Sequence, residues 1–271
     1  MINKFKKKLG YIKRGLHGMA QNNLESVPKI PAEIKNFTIG ESVNKEPIKC
    51  FQLGEGKTKV LYVSGIHGNE VGTVKLAHHI INWMHENCDK LKDFSLFVIP
   101  CLNPDGFKLA CKNPDYMNGG KIGRFNANEV DLNRNLDTPS FKSKSEWHFG
   151  KNYSESVEVY CGSHGNSEPE IKALTTFVDK QGIKIIFMFH NAGREVMGNE
   201  NALSQKLTKI YCEKTGFSYV SNDDWAQLKQ TGTMKEWCDM HNIAYIEVEG
   251  STRWGSDWKR QKLALETTQK L

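Results

Sequence analysis

The sequence predicts an α/β fold: three layers, α/β/α, around a mostly parallel mixed sheet. Three observations carry this. Short apolar runs such as "KVLYVSG" (59–65), "SLFVIPCLN" (95–103), "IKIIFMFHN" (183–191) and "IAYIEVEG" (243–250) read as strands buried on both faces. Segments of helical period lie between them, which favours crossover connections and a parallel sheet. The chain has 271 residues, 38% of them hydrophobic and 25% charged, enough for one large domain with its own core.

Along the chain, residues 1–45 are polar and broken by Pro28 and Pro31, so they read as an N-terminal extension to a domain over 46–271. Within 1–14, "MINKFKKKLGYIKR", six residues are Lys or Arg and none is acidic. A solvated terminus is the plain reading; an arm for nucleic acid, anionic lipid or an acidic partner is the sharper one. Nucleic-acid binding would rest on that segment alone and is not expected.

The segments 48–54 and 59–65 read as a hairpin around Gly54–Glu55–Gly56. "NEVGTVKLAHHIINWMHEN" (69–87) has helical period. Residues 104–165 show little periodicity and much Gly, Asn and Pro; a loop that long inside a compact domain is either functional or mis-assigned. "SEPEIKALTTFVDKQG" (167–182) reads as a helix opened by a capping box, Ser167 with Glu170, and closed near Gly182. Helices follow over 199–215, 231–242 and 257–270.

No apolar run approaches the roughly 20 residues of a membrane span. The basic start lacks the apolar core of a secretory signal. Seven cysteines with no C-x-x-C pair argue against a disulfide framework and a cysteine-rich zinc module. Reduced thiols and a cytoplasmic protein are the expectation; oligomeric state is silent.

Parallel sheets build sites where strands end. Two strand ends carry unusual chemistry. "VLYVSGIHGNE" (60–70) runs from a buried strand into His67 and Glu70, and the strand over 183–191 ends in His190. Imidazole and carboxylate are zinc ligands, and two His with one Glu leave a fourth position for water, the pattern of catalytic sites. The polar loop "GRFNANEVDLNRNLDT" (123–138) adds Arg124, Asn133 and Arg134. A planar guanidinium fork suits a carboxylate.

With these parts in order, "HGNE" (67–70), "NPDG" (103–106), "NANEVDLNRN" (126–135), "SEPE" (167–170), "FHN" (189–191) and "TGTMKEWCDMHNIAYIEVEG" (231–250), the sequence resembles the zinc carboxypeptidase family across roughly 57–265. It is most similar to the bacterial branch of murein peptide amidases, and shares "HGNE" and "DLNR" with the aspartoacylase and succinylglutamate desuccinylase branch.

The resemblance implies one Zn²⁺ per chain, held by His67, Glu70 and His190. It implies an oxyanion-stabilising Arg124 and a carboxylate clamp of Asn133 and Arg134. The general base would be a Glu of the last strand. Glu249 matches the family pattern counted from Ile243; Glu247 faces the same side and is the alternative. Asn69 stands where pancreatic-type members carry Arg. The family's flap tyrosine is not placed, with Tyr219 and Trp225 in the right region. Arg194, Glu195, Met197 and Arg253 are candidate specificity residues or scaffold.

The expected function is a zinc metallocarboxypeptidase or amidase cleaving a C-terminal amide of a small peptide, a peptidoglycan stem peptide of the γ-D-Glu-diaminopimelate type. The alternatives are an N-acyl amino acid deacylase and a zinc-dependent peptide-binding module without catalysis. The partner in each case is a small peptide or N-acyl amino acid with a free carboxylate.

Overall fold

A computed structural model describes residues 27–113, 121–149 and 153–268. The basic segment 1–14 lies outside them.

Among the described residues ten strands form two sheets. In chain order they are β1 (Asn36–Glu41), β2 (Pro47–Leu53), β3 (Thr58–Val63), β4 (Phe94–Ile99), β5 (Lys144–Phe149), β6 (Glu155–Tyr160), β7 (Ile185–Asn191), β8 (Glu195–Gly198), β9 (Ser218–Val220) and β10 (Ala244–Gly250). The main sheet runs β1-β2-β4-β3-β7-β10-β8-β9; β5 and β6 pair separately. Its centre, β4-β3-β7-β10, is parallel throughout. Antiparallel pairings flank that centre on both sides.

The helices are α1 (Val71–Glu86), α2 (Pro104–Lys112), α3 (Pro169–Gln181), α4 (Ala202–Thr215), α5 (Asn222–Ala226), α6 (Met234–Met240) and α7 (Trp258–Thr268). Alternation along each strand sends side chains to two cores. Val60 and Tyr62 of β3 and Ile246 and Val248 of β10 join Leu76, Ile80, Leu207 and Leu265 from α1, α4 and α7. Leu61 and Val63, with Tyr245, join Ile171, Leu174, Met234 and Trp237 from α3 and α6. The expected three layers are present.

Several local expectations are corrected. The segments 48–54 and 59–65 do not pair as a hairpin, because β4 lies between β2 and β3. Crossover through α1 returns the chain to the slot beside β3, and apolar β4 is buried on both faces there. The boundary expected at residue 45 falls in the β1–β2 turn, so part of the supposed extension is an edge strand of the sheet. Residues 104–165 are not a bare loop. They contain α2, opened by the Asn103 side chain accepting from Gly106 N at 2.9 Å, and the β5–β6 hairpin.

The capping box at Ser167 does not form. Helix α3 starts after Glu168 without a side-chain cap, and Glu170 instead accepts from Val43 N at 3.2 Å and Asn126 Nδ2 at 3.2 Å. The helix does end at Gly182, in the left-handed conformation a glycine adopts without steric cost (φ 66°).

The seven cysteines are free. Among the described residues no helix is long and apolar enough to cross a membrane.

One glycine ties the fold to the strand-end turn. A Cβ on Gly68 would lie 2.1 Å from Phe107 N and 2.2 Å from Gly106 C, both backbone atoms of α2. Gly68→Ala therefore has to push α2 off the turn. We expect a cost of roughly 3 kcal/mol, which lowers the melting temperature of a domain this size by about 6–12 °C. A melting shift under 2 °C would show that the turn is free to adjust.

Candidate metal centre

The centre is built at the carboxyl ends of β3, β7 and β10. After β3 the chain turns at Gly65 (φ 64°), and the Glu70 N–H donates to His67 O at 3.1 Å. That closed turn brings the two side chains together, with His67 Nδ1 3.0 Å from Glu70 Oε1. Glu70 occupies the N-cap of α1 yet makes no capping hydrogen bond. Its carboxylate is directed into the site instead. His190, at the end of β7, places Nδ1 3.1 Å from Glu70 Oε2 and 3.2 Å from His67 Nδ1.

The donor atoms of His67, Glu70 and His190 thus converge, all within 4.8 Å of one another and all buried. Two imidazole nitrogens crowding one carboxylate suit a small cation that takes bonds of about 2 Å from each. Charge favours the same occupant. The carboxyl groups gathered here (Glu70, Asp131, Glu195, Glu247 and Glu249) outnumber the two guanidiniums, Arg124 and Arg134. That acidic excess suits a cation.

Asp131, which sequence reasoning had given no role, organises the next layer. It opens a one-turn 3-10 helix, Leu132–Arg134, by accepting from Asn133 N at 3.1 Å. The same carboxylate lies 3.2 Å from His67 Nε2 and takes two bonds from Arg124, at 3.1 Å from Nε and 2.9 Å from NH2. A carboxylate behind a ligating histidine fixes its tautomer and orientation. Arg124 lies over the Trp147 ring, 4.3 Å from its centroid, and keeps NH1 3.8 Å from Glu70 Oε1.

Asn133 is held by Met234 N donating to Oδ1 at 3.1 Å, with Nδ2 3.5 Å from His190 Nε2. Arg134 is 3% exposed, donates NH1 to Asn133 O at 2.7 Å, and has no hydrogen-bond partner for Nε. Among the described residues it forms no ion pair. The loop carrying these groups is pinned by the "SEPE" motif: Asn126 and Asn128 donate to Glu168 at 2.7 and 2.8 Å, and Asn135 accepts from Glu168 N at 3.0 Å. The glutamates of "SEPE" are loop anchors.

Strand register places the last candidates. Glu249 of β10 pairs with His190 of β7 and with Glu195 of β8. Glu247 pairs with Met188 and Met197 in the adjacent same-face row. Tyr245, on that face, donates its hydroxyl to Glu247, and Tyr153 donates to Glu195. Tyr153 escaped the sequence reading because nothing around it is periodic. Tyr219 is 44% exposed and bonds Gln205 on α4. Arg194 begins this segment in left-handed backbone (φ 60°).

The charges shape the proton affinities. Burial pushes the Glu249 carboxyl up to about 8, and the Glu70, Glu247 and Glu195 charges add to it against His190. Burial disfavours charged His190, but Glu247 and Glu70 outweigh it and raise the ring to about 9. Burial also opposes ionised Glu70 and Asp131. For Glu70 the two imidazoles win, and for Asp131 Arg124 followed by His67 wins, so both stay well below the usual carboxylate range.

A buried His-Glu-His cluster at the edge of a parallel sheet, flanked by two arginines, is the build of a mononuclear metallohydrolase. The match to a family model described as zinc carboxypeptidase, over residues 24–233, narrows the class: the chain belongs to the zinc carboxypeptidase family. The family's metal is zinc, and the residues present fit it.

Among relatives, carboxypeptidase D of Anas platyrhynchos is 26% identical over 126 residues, 41% of this chain but only 9% of that protein's length. Murein peptide amidase A of Vibrio campbellii is 24% identical over 213 residues, 78% of this chain and 77% of that one. The solved murein-tripeptide amidase of Escherichia coli O157 superposes with a TM-score of 0.66 at 20% identity, over 93% of this chain and 94% of that one; that likeness concerns the fold.

Proposed function

We propose that this chain is a zinc metallocarboxypeptidase that hydrolyses the C-terminal amide bond of a small peptide. The observation that carries the reading is Arg134. A buried guanidinium that forms no direct ion pair among the described residues, feels Asp131 and Glu247 only through space and leaves Nε without a hydrogen bond is suited to pair with an incoming anion. It lies one residue from Asn133, which reaches His190 of the metal cluster. A peptide's terminal carboxylate fits that demand and brings the last amide next to the centre.

In this reading His67, Glu70 and His190 hold the zinc, and Asp131 orients His67. When bound, zinc polarises the scissile carbonyl and lowers the pKa of water toward neutrality. Arg134 and Asn133 clamp the carboxylate and fix the amide in place. Arg124, locked by Asp131 on one edge, turns its remaining nitrogen toward the centre, where it can stabilise a developing oxyanion. Glu249 takes a proton from the attacking water as the new C–O bond forms. It returns that proton to the leaving nitrogen as the C–N bond breaks.

The preferred substrate is a peptidoglycan stem peptide, cleaved between γ-D-Glu and diaminopimelate. The likeness to murein peptide amidase A over most of both chains supports it. A cytoplasmic location is part of the same proposal, in keeping with seven free thiols.

The test is mass spectrometry of zinc-loaded protein incubated with L-Ala-γ-D-Glu-diaminopimelate, beside chelator-treated protein and the tripeptide with its diaminopimelate carboxyls amidated. Free diaminopimelate from the loaded protein and the free-carboxylate peptide alone is the expected result. An intact tripeptide beside cleaved N-acyl amino acids would replace this reading with the deacylase one.

A further inference from the structure

Arg124 has to keep one nitrogen directed at the centre, yet its grip on Asp131 fixes only one point. Both bonds, from Nε and from NH2, go to the same oxygen, Oδ2. Oδ1 is committed elsewhere, to Asn133 N at 3.1 Å and to His67 Nε2 at 3.2 Å. A fork on two oxygens sets the plane of a guanidinium. A fork on one oxygen lets that plane swing about it. NH1 lies 3.8 Å from Glu70 Oε1, too far for a hydrogen bond that would stop the swing.

The backbone is already pinned. Arg124 N donates to Lys121 O at 3.0 Å, and Arg124 O accepts from Asn103 Nδ2 at 3.3 Å. The remaining freedom is that of the guanidinium, and one side chain opposes it. Arg124 Cζ sits 4.3 Å from the centroid of the Trp147 ring. Both residues are buried, and a cation over an indole face is held most strongly where water is excluded. Trp147 has its own seat. It pairs with Val157 across the β5–β6 hairpin, its ring lies 5.0 Å from that of Phe149, and it forms a small core with Val159 and Cys161. The same hairpin holds Asp131, whose N donates to Tyr160 O at 2.9 Å. One two-stranded ribbon, separate from the main sheet, thus mounts both restraints on Arg124.

We infer that Trp147 is a positioning residue: its indole face sets the plane of Arg124 and keeps NH1 directed at the oxygen on which charge develops. The chemistry rests on the carboxypeptidase reading; the inference adds a part in it for the β5–β6 hairpin. An interaction made only in the transition state raises kcat. Loss of the plane should therefore lower kcat and leave KM, which reports the Asn133–Arg134 clamp, in place.

The test uses the zinc-loaded full chain and the tripeptide of the previous section. Trp147→Leu and Trp147→Met keep an apolar side chain and lose the π face. In both, kcat is expected to fall roughly tenfold while KM stays within about threefold. A phosphinic analogue of the tetrahedral intermediate should bind more weakly by the same factor. Trp147→Phe, which keeps a smaller π face, should recover most of the loss. In an Arg124→Ala background, Trp147→Leu should change kcat by less than about twofold, because a residue that acts through Arg124 then has nothing to act on. Zinc stoichiometry and melting temperature establish which variants are folded.

Crystal structures of the wild type and Trp147→Leu give a readout that needs no turnover. One guanidinium orientation is expected in the wild type, and a tilted or doubled one in the variant. An unmoved plane would overturn the inference. So would wild-type kcat in the leucine and methionine variants, or full additivity of the Trp147 and Arg124 changes. A tilted plane in a protein that cleaves no peptide would leave the positioning role standing and remove the carboxypeptidase reading.

Discussion

Glu249→Gln is expected to yield a protein that holds one zinc and turns over peptide roughly 10³-fold more slowly, the scale of a lost general base. The amide has nearly the shape of the carboxylate, and Glu249 is not among the three converging metal donors. Zinc content and fold should therefore survive. Its position on β10, in register with His190, puts it at the metal's edge. A Cβ on Gly193 would come 3.0 Å from Glu249 Cβ, so the glycine leaves this side chain room that a larger residue would take.

Glu247 makes the comparison informative. It shares the strand face but sits a row deeper, bonded to Tyr245. Steady-state kinetics on both glutamine variants, with zinc measured by atomic absorption, checks the assignment. If Glu247→Gln lost all turnover while Glu249→Gln stayed within tenfold of wild type, the base would be Glu247.

Much of this site was legible in the sequence, and the residues show why. The parallel core could be read from runs such as "VLYV" and "IIFMF", because a strand buried on both faces has to be continuously apolar. His67 and His190 stood out as imidazoles ending such runs, where apolar packing gives no reason for them. Their convergence on Glu70 follows from β3 and β7 being sheet neighbours. The β2–β3 pairing was misread because hairpin signals are local, whereas insertion of β4 depends on a crossover some thirty residues later.

The capping box failed for a related reason. Ser167 and Glu170 have the right spacing, but a long-range partner, Asn126, competes for the carboxylate and wins. Tyr153, just before β6, joins the site through a long-range hydrogen bond to Glu195, which no local pattern encodes. Asp131 was visible only as part of a dense polar loop, although three elements depend on it.

That dependence makes Asp131→Asn a disruptive change despite its near-identical shape. The substitution keeps the volume and removes one charge. Arg124 would then lose the counter-ion that accepts two of its hydrogen bonds, with only Glu70 nearby at 3.8 Å. Removing one partner of a buried pair costs about 3–5 kcal/mol, because the remaining charge stays desolvated. The Glu70 contact places the expectation at the lower end, about 3 kcal/mol, to be read from thermal or urea melting.

A second loss is separable from the first. His67 would face an amide in place of a carboxylate on Nε2, and a ligating histidine without that support typically binds metal 10–100-fold more weakly. Competition against a fluorescent zinc chelator, at a temperature where the variant is folded, isolates this term. Weakened zinc with unchanged melting would mean that Arg124 finds another anion. Unchanged zinc affinity with lowered melting would confine Asp131 to the Arg124 pair. A protein that keeps both within twofold and 2 °C of wild type would remove Asp131 from any part in building the centre.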